Sequence, residues 1–354
     1  MVAISQILSH SRQSYEEKFN QTNHTPVGVQ TLWARMLLEA DIFLGSLNGP
    51  HRIPGKKSIF DICWHYFQTY GSKINIKPRI TWIGYLYSLP LRYLYELKRV
   101  MKIQFASDIH LEFHENSNFI KTEPFEVTGD VLVFAGDTGY LRDKTLPNLR
   151  FWKWASANYR EVLLVPGNHE FYGNSDVLAY GDSWSREILH NVHYYQNKVV
   201  RINNVDFVLS TLWSHIRPED EYFVHRGMND FRQILYNGHR FTPEDYNAEH
   251  EKCLAFIKKS VAESTAEHIV VVTHHLPSMA VVAPEYKGDL LNSAFATELG
   301  DFIADSRIDA WIFGHSHNNE ETVIGNTRLV CNQLGYVYYR ENLGGFDGGK
   351  FIEI

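Results

Sequence analysis

From residue 101 onward the sequence predicts an α/β fold, and three observations carry that prediction. Short runs rich in Val, Ile, Leu and Phe recur and read as buried strands. Helical stretches with apolar stripes come between them, so strand and helix alternate. Five of the runs break off into metal-loving side chains: Asp108-Ile109-His110, Gly136-Asp137, Gly167-Asn168-His169-Glu170, His274-His275 and Gly314-His315-Ser316-His317. Open α/β sheets hold ligands just outside the carboxyl ends of their strands, so five clusters at strand ends point to one shared site.

The chain begins with a different kind of segment. Residues 1–100 carry 12 Lys+Arg against 6 Asp+Glu, a balance of +6, while the remaining 22 basic and 35 acidic residues balance at −13. The break falls at Met101-Lys102-Ile103, so residues 1–100 read as an N-terminal extension, mainly helical or poorly ordered, or as sequence upstream of a true start at Met101. Thr31 to Leu44 reads as an amphipathic helix with Leu32, Met36, Leu37 and Phe43 on one side, and Gly45 to Lys57 as a loop. The basic residues from Arg52 to Arg99 could touch nucleic acid, but no nucleic-acid motif accompanies them, and a solvated basic face explains them as well.

At 354 residues the chain exceeds one ordinary core, and its 44% apolar and 21% charged residues suit a globular protein in water. Cys63, Cys253 and Cys331 are too sparse for a disulfide framework and fit a reducing compartment, so a cytoplasmic location is expected. Met1 to Gln13 lacks the cationic start and apolar heart of a secretory signal. The uncharged apolar stretch Ile80 to Leu91, interrupted by Gly84 and Pro90, falls short of the roughly 20 residues a membrane span needs. Arg92, Lys98 and Arg99 after it leave two readings, a segment lying on a membrane surface or one packed on the neighbouring domain.

Within residues 101–354 the predicted strands are Lys102–Ser107, Asp130–Ala135, Glu161–Val165, Val205–Ser210, His268–Thr273 and Asp309–Phe313. Thr242-Pro243-Glu244 opens a helix with a good cap and proline at its first position, and Tyr246, His250, Cys253, Ile257 and Val261 form its inner stripe. A second helix is predicted from near Asn292, burying Phe295, Leu299, Phe302 and Ile303. Leu329 to Tyr339 and Lys350 to Ile354 read as closing strands.

The clusters make chemical sense around a pair of cations. Two divalent ions about 3.5–4 Å apart repel unless a carboxylate and a hydroxide bridge them, and Asp137 after Gly136 is the natural bridge. Asp108 and His110, at i and i+2, can project to one side, and His315 and His317 share that spacing, with Gly314 permitting a bend. Asn168 adds a carbonyl oxygen and His274 or His275 an imidazole. This mixed set suits Mn, Fe, Zn or Co better than Ca or Mg. His169, next to Asn168, should point the other way in extended chain and so serve the substrate. Glu170 is expected to orient a ligand, and structural zinc is disfavoured because such sites are cysteine-rich.

D-x-H, G-D, G-N-H-E, H-H and G-H-x-H in this order resemble the calcineurin-like metallophosphoesterase superfamily over residues 101–354. The resemblance implies a four-layer α/β/β/α sandwich with two metals at one edge. It implies Asp108, His110 and His317 on one metal, Asn168, His274 and His315 on the other, and Asp137 shared. It also favours His274 over His275, and makes His169 the catalytic histidine, oriented by Asp108.

These readings converge on a dinuclear-metal-dependent hydrolase of small phosphate esters, a phosphodiesterase or phosphomonoesterase in which a metal-bridging hydroxide attacks phosphorus. Two alternatives belong to other classes: an inactive metal-binding scaffold, and a nuclease whose basic N-terminal region holds a polymer. Trp213 and His215 follow a strand and could line the cleft, and Arg232 could meet a phosphate; a wedge and a surface ion pair explain them equally well. Tyr172 and Asn332 are similarly open.

Overall fold

The computed structural model describes residues 100–122 and 124–354. The helix, loop and apolar stretch expected within residues 1–99 lie outside the described residues.

Among the described residues fourteen strands follow in order: β1 Lys102–Ala106, β2 Val131–Ala135, β3 Glu161–Val165, β4 Trp184–Leu189, β5 Val192–Gln196, β6 Lys198–Ile202, β7 Val205–Leu209, β8 Leu235–Tyr236, β9 His239–Arg240, β10 His268–Val272, β11 Ala310–Phe313, β12 Thr322–Ile324, β13 Thr327–Cys331 and β14 Phe351–Glu353. They form two six-stranded sheets, ordered β14-β1-β2-β3-β5-β4 and β12-β13-β11-β10-β7-β6, and one small hairpin, β8-β9. In each large sheet four parallel strands sit between antiparallel edge strands.

The period-2 alternation of buried strands divides their side chains between three layers of core. Phe105, Val133, Leu163, Phe207, Val270 and Ile312 meet between the two sheets. Leu132, Phe134 and Leu164 face outward from the first sheet, against Trp152 and Ala155 of helix Arg150–Asn158. Val208, Val271 and Trp311 face outward from the second, against Ile257 and Val261 of helix Pro243–Glu263 and Ile303 of helix Gly300–Ala304. The result is an α/β/β/α sandwich, as expected.

The six predicted interior strands are present, within a residue or two of their expected bounds. Strands β4, β6 and β12 escaped prediction because they sit at sheet edges, where half-exposed polar sequences such as Lys198–Ile202 suffice, and interior β5 escaped because His193, Tyr195 and Gln196 interrupt its apolar run. Helix Pro243–Glu263 has the expected stripe and a full capping box, with Thr242 accepting from the Asp245 amide and Asp245 from the Thr242 amide.

Two expectations are corrected. The helix expected from Asn292 is one 3-10 turn, Asn292–Ala294; the chain then extends to bridge Leu276 at Ala296, and only Gly300–Ala304 is helical. Backbone pairing with Leu276 overrides the helical stripe. The closing strand ends at Cys331 rather than Tyr339, because the Asn332 side chain bonds the backbone of Phe105 and Asp347 and turns the chain away.

Candidate metal centre and its cleft

The loops leaving β1, β2, β3, β10 and β11 meet where the carboxyl ends of the two sheets adjoin. They are tied by backbone bonds, from Asp108 N–H to Gly136 O at 3.0 Å, His110 N–H to Asp137 O at 2.9 Å and Gly314 N–H to His274 O at 2.9 Å. Asp108, His110, Asp137, His315 and His317 all adopt left-handed backbone, with φ of 55°, 45°, 52°, 77° and 55°. Each such residue costs on the order of 1 kcal/mol and persists where surrounding contacts over-determine it, commonly at functional sites. Asp108 and His110 therefore converge through left-handed turns, not through the extended i, i+2 alternation. Gly314 is needed for space more than for a bend, since a Cβ there would lie 2.7 Å from Asp108 Oδ2 and 2.8 Å from Ala135 O. A Cβ on Gly167 would collide with Asp137 Oδ1.

The donor atoms fall into two fans. In one, His110 Nε2 lies 3.1 Å from His317 Nε2 and 3.8 Å from Asp137 Oδ2, and His317 Nε2 lies 3.4 Å from Asp108 Oδ1. In the other, His274 Nε2 lies 3.0 Å from Asn168 Oδ1, 3.1 Å from His315 Nδ1 and 3.4 Å from Asp137 Oδ1. Asp137 thus turns one oxygen to each fan. The imidazole tautomers follow from the partners on the far side of each ring. His110 Nδ1 meets Glu112 Oε1 at 3.0 Å, His317 Nδ1 meets Glu341 Oε2 at 2.7 Å, and His274 Nδ1 meets the Ala135 carbonyl at 2.8 Å. Each of these rings donates outward when neutral and turns an Nε2 lone pair inward, toward other lone pairs. Lone pairs facing one another at 3.0–3.4 Å repel unless a proton or a cation lies between, and such spacings also suit donors bonded to one ion at roughly 2.0–2.2 Å. These groups could hold divalent cations.

Burial sets the charge of most of these groups. Burial pushes the Asp137 carboxyl up, helped by Glu170, Asp108 and Glu112. Burial also holds His110 and His274 down to about 4, and His315 well below the ordinary imidazole range. His317 departs from that pattern: burial opposes its charge, yet Asp108 and Glu341 push it up to about 9. Asp108 is held well below the carboxylate range, because hydrogen bonding and charge from His317, with His274 and His110, outweigh burial.

His169 occupies a 3-10 turn, not extended chain, and its Nε2 lies 4.0 Å from Asp137 Oδ2. The carboxylate on its Nδ1 is Glu112 at 2.9 Å, correcting the expected Asp108, whose oxygens instead accept the His315 amide at 3.1 Å. Glu112 holds His110 and His169 through a single oxygen; those imidazoles outweigh burial and bring its carboxyl down to about 2. On the other ring nitrogen, the Tyr336 hydroxyl reaches His169 Nε2 at 3.1 Å. Glu170 orients no ligand side chain. It accepts the amides of Asp137 at 3.0 Å, Thr138 at 2.7 Å, Gly139 at 3.3 Å and Gly167 at 2.6 Å, stapling two ligand loops together.

The seven residues singled out as metal ligands, with His169, are brought together. His275 is not among them: its ring turns away to Tyr246 OH at 2.8 Å. The three substrate candidates lie off the site. Trp213 is buried among Phe241, Tyr246 and His275, because φ values of 68° and 53° at Leu212 and Trp213 turn the chain inward. His215 faces Glu251 at the surface. Arg232 bonds its own helix region at Met228 O and Asn229 Oδ1. Tyr172 does reach the site, stacked on His169 with centroids 4.2 Å apart, while Asn332 supports the sheet end.

Several residues escaped sequence reasoning. Glu112 was signalled by the continuing alternation Asp108-x-His110-x-Glu112; Tyr336 and Glu341 follow no motif. Asp230, fully buried, takes the Tyr172 hydroxyl at 3.0 Å and the Asn168 amide at 3.4 Å, which aims the Asn168 carbonyl oxygen at His274. A cleft of about 930 Å³ opens over the donors, lined also by Tyr336, Arg340, Leu276 and Leu291.

An uncharacterized protein of Acanthamoeba polyphaga mimivirus is 26% identical over 278 residues, spanning 71% of this chain and 96% of its own. Among solved structures, the phosphopantetheinyl hydrolase of Mycobacterium tuberculosis superposes with a TM-score of 0.52 at 14% identity, covering 72% of this chain and 95% of its own, and so shares the fold. Residues 101–319 match the profile described as calcineurin-like phosphoesterase, and the chain belongs to that family of metal-dependent phosphoesterases.

Proposed function

We propose that the protein is a dinuclear-metal-dependent hydrolase of small phosphate esters, with Asp108, His110 and His317 holding one cation, Asn168, His274 and His315 the other, and Asp137 both. The observation that carries this reading is the pair of inward-facing lone-pair fans, with one Asp137 oxygen turned to each. A bound pair of divalent ions supplies charge for the phosphoryl oxygens and makes water nucleophilic near neutral pH, which accounts for a site without a nucleophilic side chain. The remaining work falls to the chain. Glu112 fixes a proton on Nδ1 of His169, so that Nε2 faces the cleft and can carry the second proton to a departing oxygen. Tyr336, donating to that same Nε2, holds the ring in place until substrate arrives. Residues 1–100 are proposed to form a separate extension, and the cysteine pattern favours the cytoplasm.

The test uses the full chain loaded with Mn²⁺, assayed on 4-nitrophenyl phosphate and bis(4-nitrophenyl) phosphate alongside elemental analysis. Two bound ions per chain and turnover are expected, with kcat falling about 10²–10⁴-fold in His169→Ala. Two bound ions without turnover of any ester would instead indicate a scaffold. Unchanged turnover in His169→Ala would remove the role given to that residue.

A further inference from the structure

The cleft above the donors has a composition that selects its occupant. Its volume, about 930 Å³, lies at the upper end of the range for small-molecule sites and far exceeds a phosphate. Part of the lining is aliphatic and aromatic, from Leu276, Val282, Ala283, Leu291 and Phe295. Much of the rest is tyrosine, with Tyr140, Tyr172, Tyr286, Tyr336 and Tyr339. Tyr339 and Tyr286 are 69% and 50% exposed, so both are open to an incoming ligand. Arg340 is the one Lys or Arg among the lining residues, and Asp230, Asp289 and Glu341 oppose it beyond the ligand carboxylates.

We propose, resting on the hydrolase reading above, that this cleft takes a compact phosphate ester whose organic part is uncharged and bears a planar ring, which packs on the exposed lining tyrosines Tyr286 and Tyr339 with Arg340 beside Tyr339. The ring faces offer offset stacking, and the Arg340 guanidinium can lie flat on the same ring. Arg340 adopts left-handed backbone, φ 64°, at the junction of two 3-10 turns. Polynucleotides and polyphosphates fit poorly. A groove tracking a phosphate chain needs repeated cations beside its aromatic faces, whereas this one returns carboxylates.

Methyl, benzyl and thymidine-5′ phosphates, each as monoester and as methyl diester and all with similarly acidic alcohols, test the idea on the full Mn²⁺-loaded chain, with a single-stranded DNA oligonucleotide as competitor. The ring-bearing esters should exceed the methyl ester by at least about tenfold in kcat/KM. The double variant Tyr286→Ala/Tyr339→Ala should bring the ratio below about threefold through KM, while Tyr222→Ala, on a remote exposed aromatic, should leave it intact. Binding supplies a readout independent of turnover: phenylphosphonate should bind at least about tenfold more tightly than methylphosphonate by calorimetry. Equal handling of the methyl and the ring-bearing compounds, or an oligonucleotide that competes better than the thymidine-5′ ester, would overturn the proposal. Phosphonate discrimination without hydrolysis of any ester would support the ring site and count against the hydrolase reading.

Discussion

Glu170 offers the most demanding test of how this site is built. Its carboxylate is fully buried and receives four backbone amides, from Asp137, Thr138, Gly139 and Gly167, together with the Thr138 hydroxyl and the Tyr194 hydroxyl. Two ligand loops from neighbouring strands therefore share one acceptor. Replacement by glutamine keeps the shape but turns one oxygen into an NH₂ group facing amide donors. At least two amides, those of Asp137 and Gly167 or those of Thr138 and Gly139, then lose an acceptor in a dry interior. Hydrogen bonds to charged groups contribute about 1.5–3 kcal/mol each, so Glu170→Gln should cost about 3–6 kcal/mol. For a unit of this size 1 kcal/mol moves Tm by about 2–4 °C, which puts the fall at about 6 °C or more. Differential scanning calorimetry of the metal-free chain measures it, and metal titration should show weaker loading because Asp137 loses its anchor. A Tm within about 2 °C of wild type would refute the staple and leave Glu170 a passive neighbour.

Three further outcomes follow from the same structure. Glu112→Gln removes the charge shared by His110 and His169, and should lower metal affinity or kcat about 10–100-fold, as loss of an outer carboxylate on ligand histidines does; kinetics and metal titration measure both. Thr242→Ala deletes the cap of helix Pro243–Glu263 and should cost about 1 kcal/mol in urea unfolding without changing KM. Burial would raise the Asp206 carboxyl, but the Arg201 guanidinium at 2.6 Å and the Ser264 hydroxyl bring it below its ordinary value. That stabilisation is fully present above an unfolded pKa of about 3.9 and is lost as pH falls through the lower folded value. The Tm deficit of Asp206→Asn should therefore be greatest near neutral pH and shrink below about pH 4, and a deficit that stays constant down to pH 2 would exclude the linkage.

How much could be read from residues alone depended on whether a feature is local. Interior strands such as Val131–Ala135 and His268–Val272 bury both faces, so continuous apolar runs betray them, whereas edge strands such as Lys198–Ile202 alternate with charge and pass for loops. The ligand clusters were legible because each lies within four consecutive residues at a strand end, and the fold only has to bring the ends together. Side-chain direction was not legible. Alternation assumes extended chain, and the residues that matter most leave it: left-handed φ at Asp108, His110 and Asp137 draws them inward, while the same conformation at Leu212 and Trp213 takes the tryptophan out of the cleft. Left-handed backbone thus aims five of the seven donors, Asp108, His110, Asp137, His315 and His317, and it is absent from any pattern of residue types. The outer partners lie beyond sequence for another reason. Glu341 is 24 residues from His317, and Tyr336 is 167 from His169, in a turn-rich segment with no periodicity. Yet Glu112 and the Ala135 carbonyl select the tautomers that turn the Nε2 lone pairs of His110 and His274 inward, and Glu341 holds Nδ1 of His317. The motif supplies the side chains; the groups behind them set which ring nitrogens face inward, where they could hold cations.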